Sequence, residues 1–471
     1  YIDPPTLLFA TVDKFAMLSW VEDGHIFFNS LNKKGALPPD LIIQDELHLL
    51  SGPLGSIVGL FEAIVEDLCT KDGVSPKIIA STATTRNTDH QIKQLYGNRS
   101  VSIFPPPGLT HKDSFFAKQS EMSNRRYLGF MPTGKTAVDS QVHLLTTLFI
   151  ARLKVFIQNS DEINPYWTLV SYYNSLKDVG RMSNKVGDEL QALVKQMQKR
   201  LKLAAYRFNH YNLKTRSQEL TSRWESAKIK QTLSQLENSF TLQKSDKGNE
   251  YIANDIIDFV LATNMLSVGI DIERLNIMQI NGIPRNTAEY IQASSRVGRK
   301  DKGLVVALFD SNRARDKSYF ESFMSFHQSL YKQIEPLSVT PFTENTIDKM
   351  IASLFIAYVR HKKGLNKNKD IKYFTKDIVE DFKVLIKDRF SDNSNQDFCF
   401  LKIDELATDW DDKIKQENPY DKYKGKDSAL LSSPDQGLDS DNKWIIMQSM
   451  RDIDSNSFIQ IQHPFIGASD E

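Results

Sequence analysis

Short apolar runs separated by helical stretches recur along the first two thirds of this chain, and few folds accommodate them. Residues 7–10 read as a strand and 12–20 as a helix. Residues 40–44 (Asp-Leu-Ile-Ile-Gln) read as a buried strand, and 77–81 as another. Between these, residues 54–69 carry Leu60, Phe61, Ile64, Val65 and Leu68 at helical spacing. Strands this short and apolar, joined by helices, predict a parallel sheet covered on both faces. Pro105-Pro106-Pro107-Gly108 ends the first alternating unit.

A second alternating unit follows, with strands at residues 126–131, 167–172, 259–262, 277–281 and 304–309. A long polar stretch, 183–248, interrupts it and carries Lys195, Lys199, Arg200, Lys202, Arg207, Lys214, Arg216 and Arg223. It reads either as a solvated helical insertion or as a basic surface that tracks a nucleic-acid backbone. Beyond residue 336, helices are expected at 347–361 and 375–387, with polar loops at 391–396 and 413–426. The expected division is 1–124, then 125–335 with the insertion at about 183–250, then 336–471. At 471 residues the chain is too long for one core.

Lys+Arg and Asp+Glu balance at 59 each, so any polyanion must be met by local patches, not by a global field. The two cysteines, Cys69 and Cys399, sit in no metal-ligand spacing, which fits a reducing cytoplasm. The longest apolar stretch, 144–157, is short for a membrane span and contains Arg152 and Lys154. No signal peptide is visible. The chain starts at Tyr1 just ahead of an apolar run, and is expected to be a fragment lacking its preceding part.

Gln44-Asp45-Glu46-Leu47-His48 follows the run ending at Ile43. A carboxylate at the C-terminal end of a parallel strand faces the place where ligands bind. Asp45 suits Mg²⁺, held largely through water because that ion dehydrates reluctantly. Glu46 suits orienting or deprotonating an attacking water. The same residues also read as an ordinary helix start, with Asp45 as cap and Glu46 on the dipole. Ser81-Thr82-Ala83-Thr84 ends the next strand, where hydroxyls can link a nucleotide site to a neighbouring lobe. Thr11 and the helix start behind it suit a nucleic-acid phosphate.

The second unit has its own pair of segments. Residues 261–272 read as a strand, a loop and a Gly269-Ile270-Asp271 turn. Residues 292–299, Gln-Ala-Ser-Ser-Arg-Val-Gly-Arg, read as part of a helix starting near Thr287. Arg296 and Arg299, three apart, are expected on one helical face. There two guanidiniums could stabilise a triphosphate, or they form a basic surface pair. His327 lies among Tyr319, Phe320, Phe323, Phe326 and Tyr331, a stripe that reads as core more readily than as a base-stacking surface.

Taken in order, these segments resemble the motifs of superfamily-two helicases. The segment around Thr11 resembles motif Ib, the Asp-Glu-Leu-His box motif II, and Thr82-Ala83-Thr84 motif III. Residues 169–181, with Asn174 and Ser175, resemble motif IV, Gly269 to Asp271 motif V, and Gln292 to Arg299 motif VI. Residues 42–55, 104–108, 113–117, 335–343 and 449–452 are similar to the helicase subunit of the DISARM anti-phage system.

The resemblance implies an α/β fold of two RecA-like parallel-sheet lobes, the first incomplete, plus an α-rich C-terminal extension. It implies an ATP-driven helicase or translocase on nucleic acid, DNA favoured, with Mg²⁺, in bacterial defence beside a partner subunit. ATP would lie between the lobes, with Asp45 and Glu46 on one wall and Arg296 and Arg299 on the other. His48 would couple to Gln292. Ser81, Thr82, Thr84, Gly269 and Asp271 would couple the nucleotide to the strand, and Thr11, Asn174 and Thr263 would hold its phosphates.

Two departures stand out. Ser295 replaces the glycine usual in motif VI, and no phosphate-binding loop precedes Asp45. Gly129-Phe130-Met131-Pro132-Thr133-Gly134-Lys135-Thr136 does fit G-x-x-x-x-G-K-[ST], with a strand before it and a helix after. It falls after motifs II and III, however, at the entrance to the second lobe. Either it is a decoy, or Gly134, Lys135 and Thr136 bind phosphate. Two rival readings follow: a scaffold that binds nucleic acid or a partner without hydrolysis, and a self-contained ATPase built on Lys135.

Overall fold

β1 (Leu41–Gln44) and β2 (Lys77–Ala80) pair in parallel, with Ile42 opposite Ile78 and Ile43 opposite Ile79. They belong to the first of two units in a computed structural model, residues 1–103 with 336–471; residues 104–335 form the second. The described residues are 3, 5–31, 36–82, 88–97, 99–106, 108–110, 113–118, 120, 124–159, 162–203, 212–244, 250–253, 255–266, 271–390, 395–425, 427–434 and 442–450.

In the first unit, Ile42, Ile78 and Ala80 pack onto the core, whereas Ile43 and Ile79 on the other face are 67% and 47% exposed. The expectation of a sheet covered on both faces therefore fails here. Residues 7–10 form no strand, and Leu7 and Phe9 are exposed. Among the described residues β1 and β2 pair only with each other, so residues 7–10 join no ladder there. Val12–Ser19 is a 3₁₀ helix.

Helix Gly52–Cys69 starts with proline in its first turn and buries Leu60, Phe61, Ile64 and Leu68. It packs against helix Glu344–His361, which is apolar nearly all round: Ile347, Leu354, Phe355, Ile356 and Val359 are fully buried. Such a helix belongs inside a core. Residues 336–471 therefore do not stand apart as an extension; they complete the first unit. Gly52 N–H donates to Ser338 O at 2.7 Å, and the Ser19 hydroxyl to Ser353 O at 2.7 Å. Buried His361 donates from Nε2 to Leu18 O at 2.7 Å, and burial pushes its pKa down to about 3, so the ring stays neutral. Helices Asp377–Lys387 and Gln396–Lys415 close the shell. The second was hidden between polar stretches, yet its Cys399, Ile403, Ala407 and Trp410 recur at helical spacing and are buried. Residues 422–424, 429–432 and 444–445 add a small parallel sheet.

The second unit is built on six parallel strands: β3 (Arg125–Phe130), β4 (Leu169–Tyr173), β5 (Ser217–Leu220), β8 (Phe259–Ala262), β9 (Ile277–Asn281) and β10 (Gly303–Leu308). Between β5 and β8, β6 (Leu242–Lys244) and β7 (Glu250–Ile252) make an antiparallel hairpin. The sheet order is β3-β10-β9-β4-β8-β5. Leu169 and Phe259 face one core with Phe149 and Trp167, while Val170 and Val260 face another with Met278 and Tyr290. Burial on both faces accounts for the unbroken apolar runs. β5, Ser-Gln-Glu-Leu, lies inside the stretch expected to be a helical insertion. That stretch supplies the edge of the sheet as well as helices Gln191–Arg200 and Ser226–Glu237.

Helix Ala137–Gln158 is the one described helix long and apolar enough to cross a membrane, and 61% of its apolar window is buried inside the protein. Arg152 on it is buried between the Phe149 and Trp167 rings, 4.4 and 4.2 Å from their centroids, and pairs with buried Asp258 at 3.5 Å. Removing one partner of a buried pair strands the other charge, at a cost of about 3–5 kcal/mol. Asp258→Ala should therefore lower unfolding stability by that amount in chemical denaturation. A change within about 0.5 kcal/mol, the range usual for surface sites, would show that carbonyls and rings alone satisfy Arg152.

Candidate active site

At the exit of β1 the chain turns sharply, because Glu46 adopts a left-handed conformation (φ 52°, ψ 48°). Non-glycine residues pay roughly 1–3 kcal/mol for such a backbone, and that strain concentrates at functional sites. The turn sends the neighbouring carboxylates of Asp45 and Glu46 off different backbone directions. Asp45 Oδ1 accepts from the Glu46 amide at 2.9 Å and from the Ser81 hydroxyl. Leu47 N–H donates to Ser81 O at 2.9 Å, and Ser81 N–H to Gln44 O at 2.9 Å. His48, 7% exposed, lies with Nδ1 3.4 Å from Glu46 Oε2 and 3.4 Å from Thr82 Oγ1. Thus the parallel pairing of β1 and β2 gathers Asp45, Glu46, His48, Ser81 and Thr82 at one end of the sheet. Thr84 lies outside the described residues.

The second unit brings Asp271 and Arg299 into an ion pair whose side chains are 75% and 29% exposed. Gly269 lies outside the described residues. Helix Thr287–Ser294 carries Gln292, 7% exposed, but ends before the arginines. Gly298 has φ +69°, so Arg296 and Arg299 sit on a turn, not on a shared helical face. A Cβ at position 298 would lie 2.7 Å from Arg125 Cγ, which leaves glycine as the residue that fits. The Gly298 amide donates to Leu275 O at 3.2 Å and Asn276 Oδ1 at 2.9 Å. Arg125 Nε–H donates to Val297 O at 2.7 Å. Asn276, fully buried, and Arg125 are thus positioning residues missed in the sequence, where nothing in their spacing ties them to residue 298. The readable signal was Val-Gly-Arg itself, since glycine commonly terminates a helix.

The three expected phosphate contacts have different surroundings. Asn174 spends Nδ2 on the carbonyls of Asn281 and Gly282, at 3.1 and 3.2 Å, and so ties the exits of β4 and β9 together. Thr263 is 6% exposed, and its amide donates to Leu220 O at 3.2 Å. Thr11 is exposed at the start of the Val12–Ser19 turn and caps it with no side-chain bond.

Gly134, Lys135 and Thr136 precede helix Ala137–Gln158. Thr136 caps that helix, its oxygen accepting from Asp139 N–H at 3.1 Å. Lys135 Nζ lies 3.0 Å from His143 Nε2, and Gly134 has φ +78°. A cavity of about 640 Å³ opens beside them, lined also by Asp139 and Glu189. β3, which leads into this loop, is the edge strand of its sheet. Nucleotides of open parallel sheets bind in the crevice where the strand order reverses, not at an edge. The two carboxylates also disfavour a polyphosphate.

Residues 188–301 match the model of the helicase conserved C-terminal domain. The DISARM protein DrmA of Bacillus paralicheniformis is 34% identical over 433 residues, which cover 82% of this chain and 36% of that protein. The chain thus spans little more than a third of that relative's length. Among solved structures, the DUF1998 helicase MrfA bound to DNA and AMPPNP is 18% identical, with a TM-score of 0.49, over 73% of this chain and 40% of its own. Mycobacterium smegmatis helicase Lhr bound to ssDNA and AMP-PNP is 14% identical, with a TM-score of 0.45, over 74% of this chain and 38% of its own. Residues 188–301 are thus similar to the helicase conserved C-terminal domain, and most of the chain's length is similar in sequence to the DISARM protein DrmA.

Proposed function

We propose that this chain is part of an ATP-driven motor on nucleic acid, with DNA as its track and cytoplasmic anti-phage defence as its setting. The observation that carries this reading is the cluster at the exits of β1 and β2, in which Asp45 holds the Ser81 hydroxyl and His48 lies between Glu46 and Thr82. The helicase domain match supports the motor, and the likeness to DrmA supports the defence role and a partner subunit.

Among the described residues no group of three or more His, Cys, Asp or Glu could hold a metal. Mg²⁺ needs none, because it keeps several waters and takes one or two carboxylates besides substrate phosphates. The exposed Asp45 carboxylate fits that demand. When bound, the ion would neutralise phosphate charge. Glu46 would orient the attacking water and accept its proton, and His48 would hold Glu46 in place. Arg296 and Arg299 would stabilise charge developing on the transferred phosphoryl group. Arg299 would leave Asp271 at little cost, since exposed ion pairs are worth about 0–1 kcal/mol. Thr11, Thr263 and the Asn174 turn would lie along the nucleic-acid backbone.

The test is ATP turnover, with and without single-stranded DNA, in a DrmA-length polypeptide that contains this chain. DNA-stimulated hydrolysis is expected, and Lys135→Ala should leave it nearly unchanged. No hydrolysis with any nucleic acid would favour the scaffold. Loss of ATP binding on removing Lys135 would put the phosphates at residues 134–136 instead.

A further inference from the structure

Four of the five tryptophans, Trp20, Trp167, Trp410 and Trp444, are at most 9% exposed, whereas Trp224 is 45% exposed. A lone exposed ring needs no explanation by itself; its mounting does. Trp224 lies just past β5, in the turn that enters helix Ser226–Glu237, with its amide donating to Thr221 O at 3.3 Å. Its indole Nε1–H points to Glu219 Oε2 at 3.4 Å. The same oxygen accepts from Arg223 Nε at 2.9 Å and from Arg223 Nη2. One carboxylate of β5 therefore holds an indole and a guanidinium side by side. A ring already fixed in solvent loses little further freedom on binding.

The surroundings point to a polyanion with flat rings. Leu220 of β5 stands opposite Ala262 of β8, and the Thr263 amide donates to Leu220 O, so the two strands leave the sheet together. The next strand, β4, leads through Ser175 into helix Leu176–Lys185. A Cβ on Gly180 of that helix would lie 3.9 Å from Arg223 Nη1. The helix also exposes Lys177 and Arg181, the latter 3.6 Å from Asp178 in a solvent-exposed pair that exchanges readily. Cations thus flank an open aromatic face at the C-terminal end of β5, an edge strand of the sheet and so open to an extended chain. Interleaved cations and rings are how proteins hold single strands: guanidiniums take phosphates and the ring takes a base.

We propose that Trp224 is a stacking platform for a base of single-stranded nucleic acid, with Arg223 beside it on the phosphate side. The inference rests on the nucleic-acid reading above and adds a residue and a contact to it. Because every base presents a π face, the platform accepts any sequence.

The experiment titrates the chain with an oligothymidylate while following tryptophan emission. Because the other four indoles are buried, quenching on binding reports Trp224. Trp224→Phe should keep the affinity and lose the quenching. Trp224→Ala should weaken binding by about 5- to 160-fold, the range for losing one stacked base, at an unchanged salt slope because the phosphate contacts remain. Wild-type affinity in Trp224→Ala, or quenching that persists in Trp224→Phe, would overturn the platform and leave the motor reading standing. A DrmA-length polypeptide containing the chain that binds no oligonucleotide would overturn both.

Discussion

Arg299→Ala is expected to lower ATP turnover by about 10³- to 10⁵-fold, the worth of an arginine that stabilises a transferring phosphoryl group. The guanidinium sits on the turn that Gly298 breaks out of the helix, and its partner Asp271 is largely exposed. An exposed pair is cheaply exchanged, so the arginine is free to move onto charge that develops during reaction. Losing it should cost the chemical step and not the resting state. Affinity for nucleic acid without nucleotide should therefore change little. Arg299→Lys keeps the charge but not the planar fork, and should recover only part of the rate. Both variants are read by steady-state hydrolysis beside oligonucleotide binding in a DrmA-length polypeptide containing the chain. If affinity falls while turnover survives, Arg299 touches the nucleic-acid backbone and the assignment is wrong.

Glu46→Gln should remove hydrolysis while ATP still binds. The two side chains have nearly the same shape, and the left-handed turn at Glu46 is a property of the backbone that glutamine can also adopt. What disappears is the carboxylate that accepts a proton and faces His48 at 3.4 Å. General bases contribute about 10²- to 10⁴-fold, so single-turnover hydrolysis should fall by at least the lower figure. Nucleotide affinity should stay near wild type, since Asp45 and Ser81 are untouched. Hydrolysis within about tenfold of wild type would remove Glu46 from the mechanism.

Much of the second unit was legible in the linear sequence, because strands buried on both faces are written as continuous apolar runs. β8 and β9 were placed to the residue, and β3, β4 and β10 within two residues of their ends. β5 was not legible: an edge strand of Ser-Gln-Glu-Leu buries too little to need an apolar pattern. The arginine pair was misjudged for a related reason. Spacing of three suggests a shared helical face only while the helix continues, and Gly298 ends it.

Apolar periodicity announced the parallel sheets, and short local patterns together with the helicase resemblance marked Asp45, Glu46, His48, Ser81, Thr82, Asp271, Gln292, Arg296 and Arg299 as candidates. Those signals are local, since one strand or one turn generates each of them. Which of these residues meet is a different matter. Asp45 and Ser81 stand 36 positions apart and touch because β1 and β2 pair in parallel register. Residues 336–471 join the first unit because a helix buried along nearly all of its second half needs a core that other segments help to build. Residues 129–136 match a phosphate loop letter for letter, yet β3 lies at the rim of its sheet, a position set by the pairing of all six strands. Such contacts depend on packing between segments distant in sequence, and no local pattern records them.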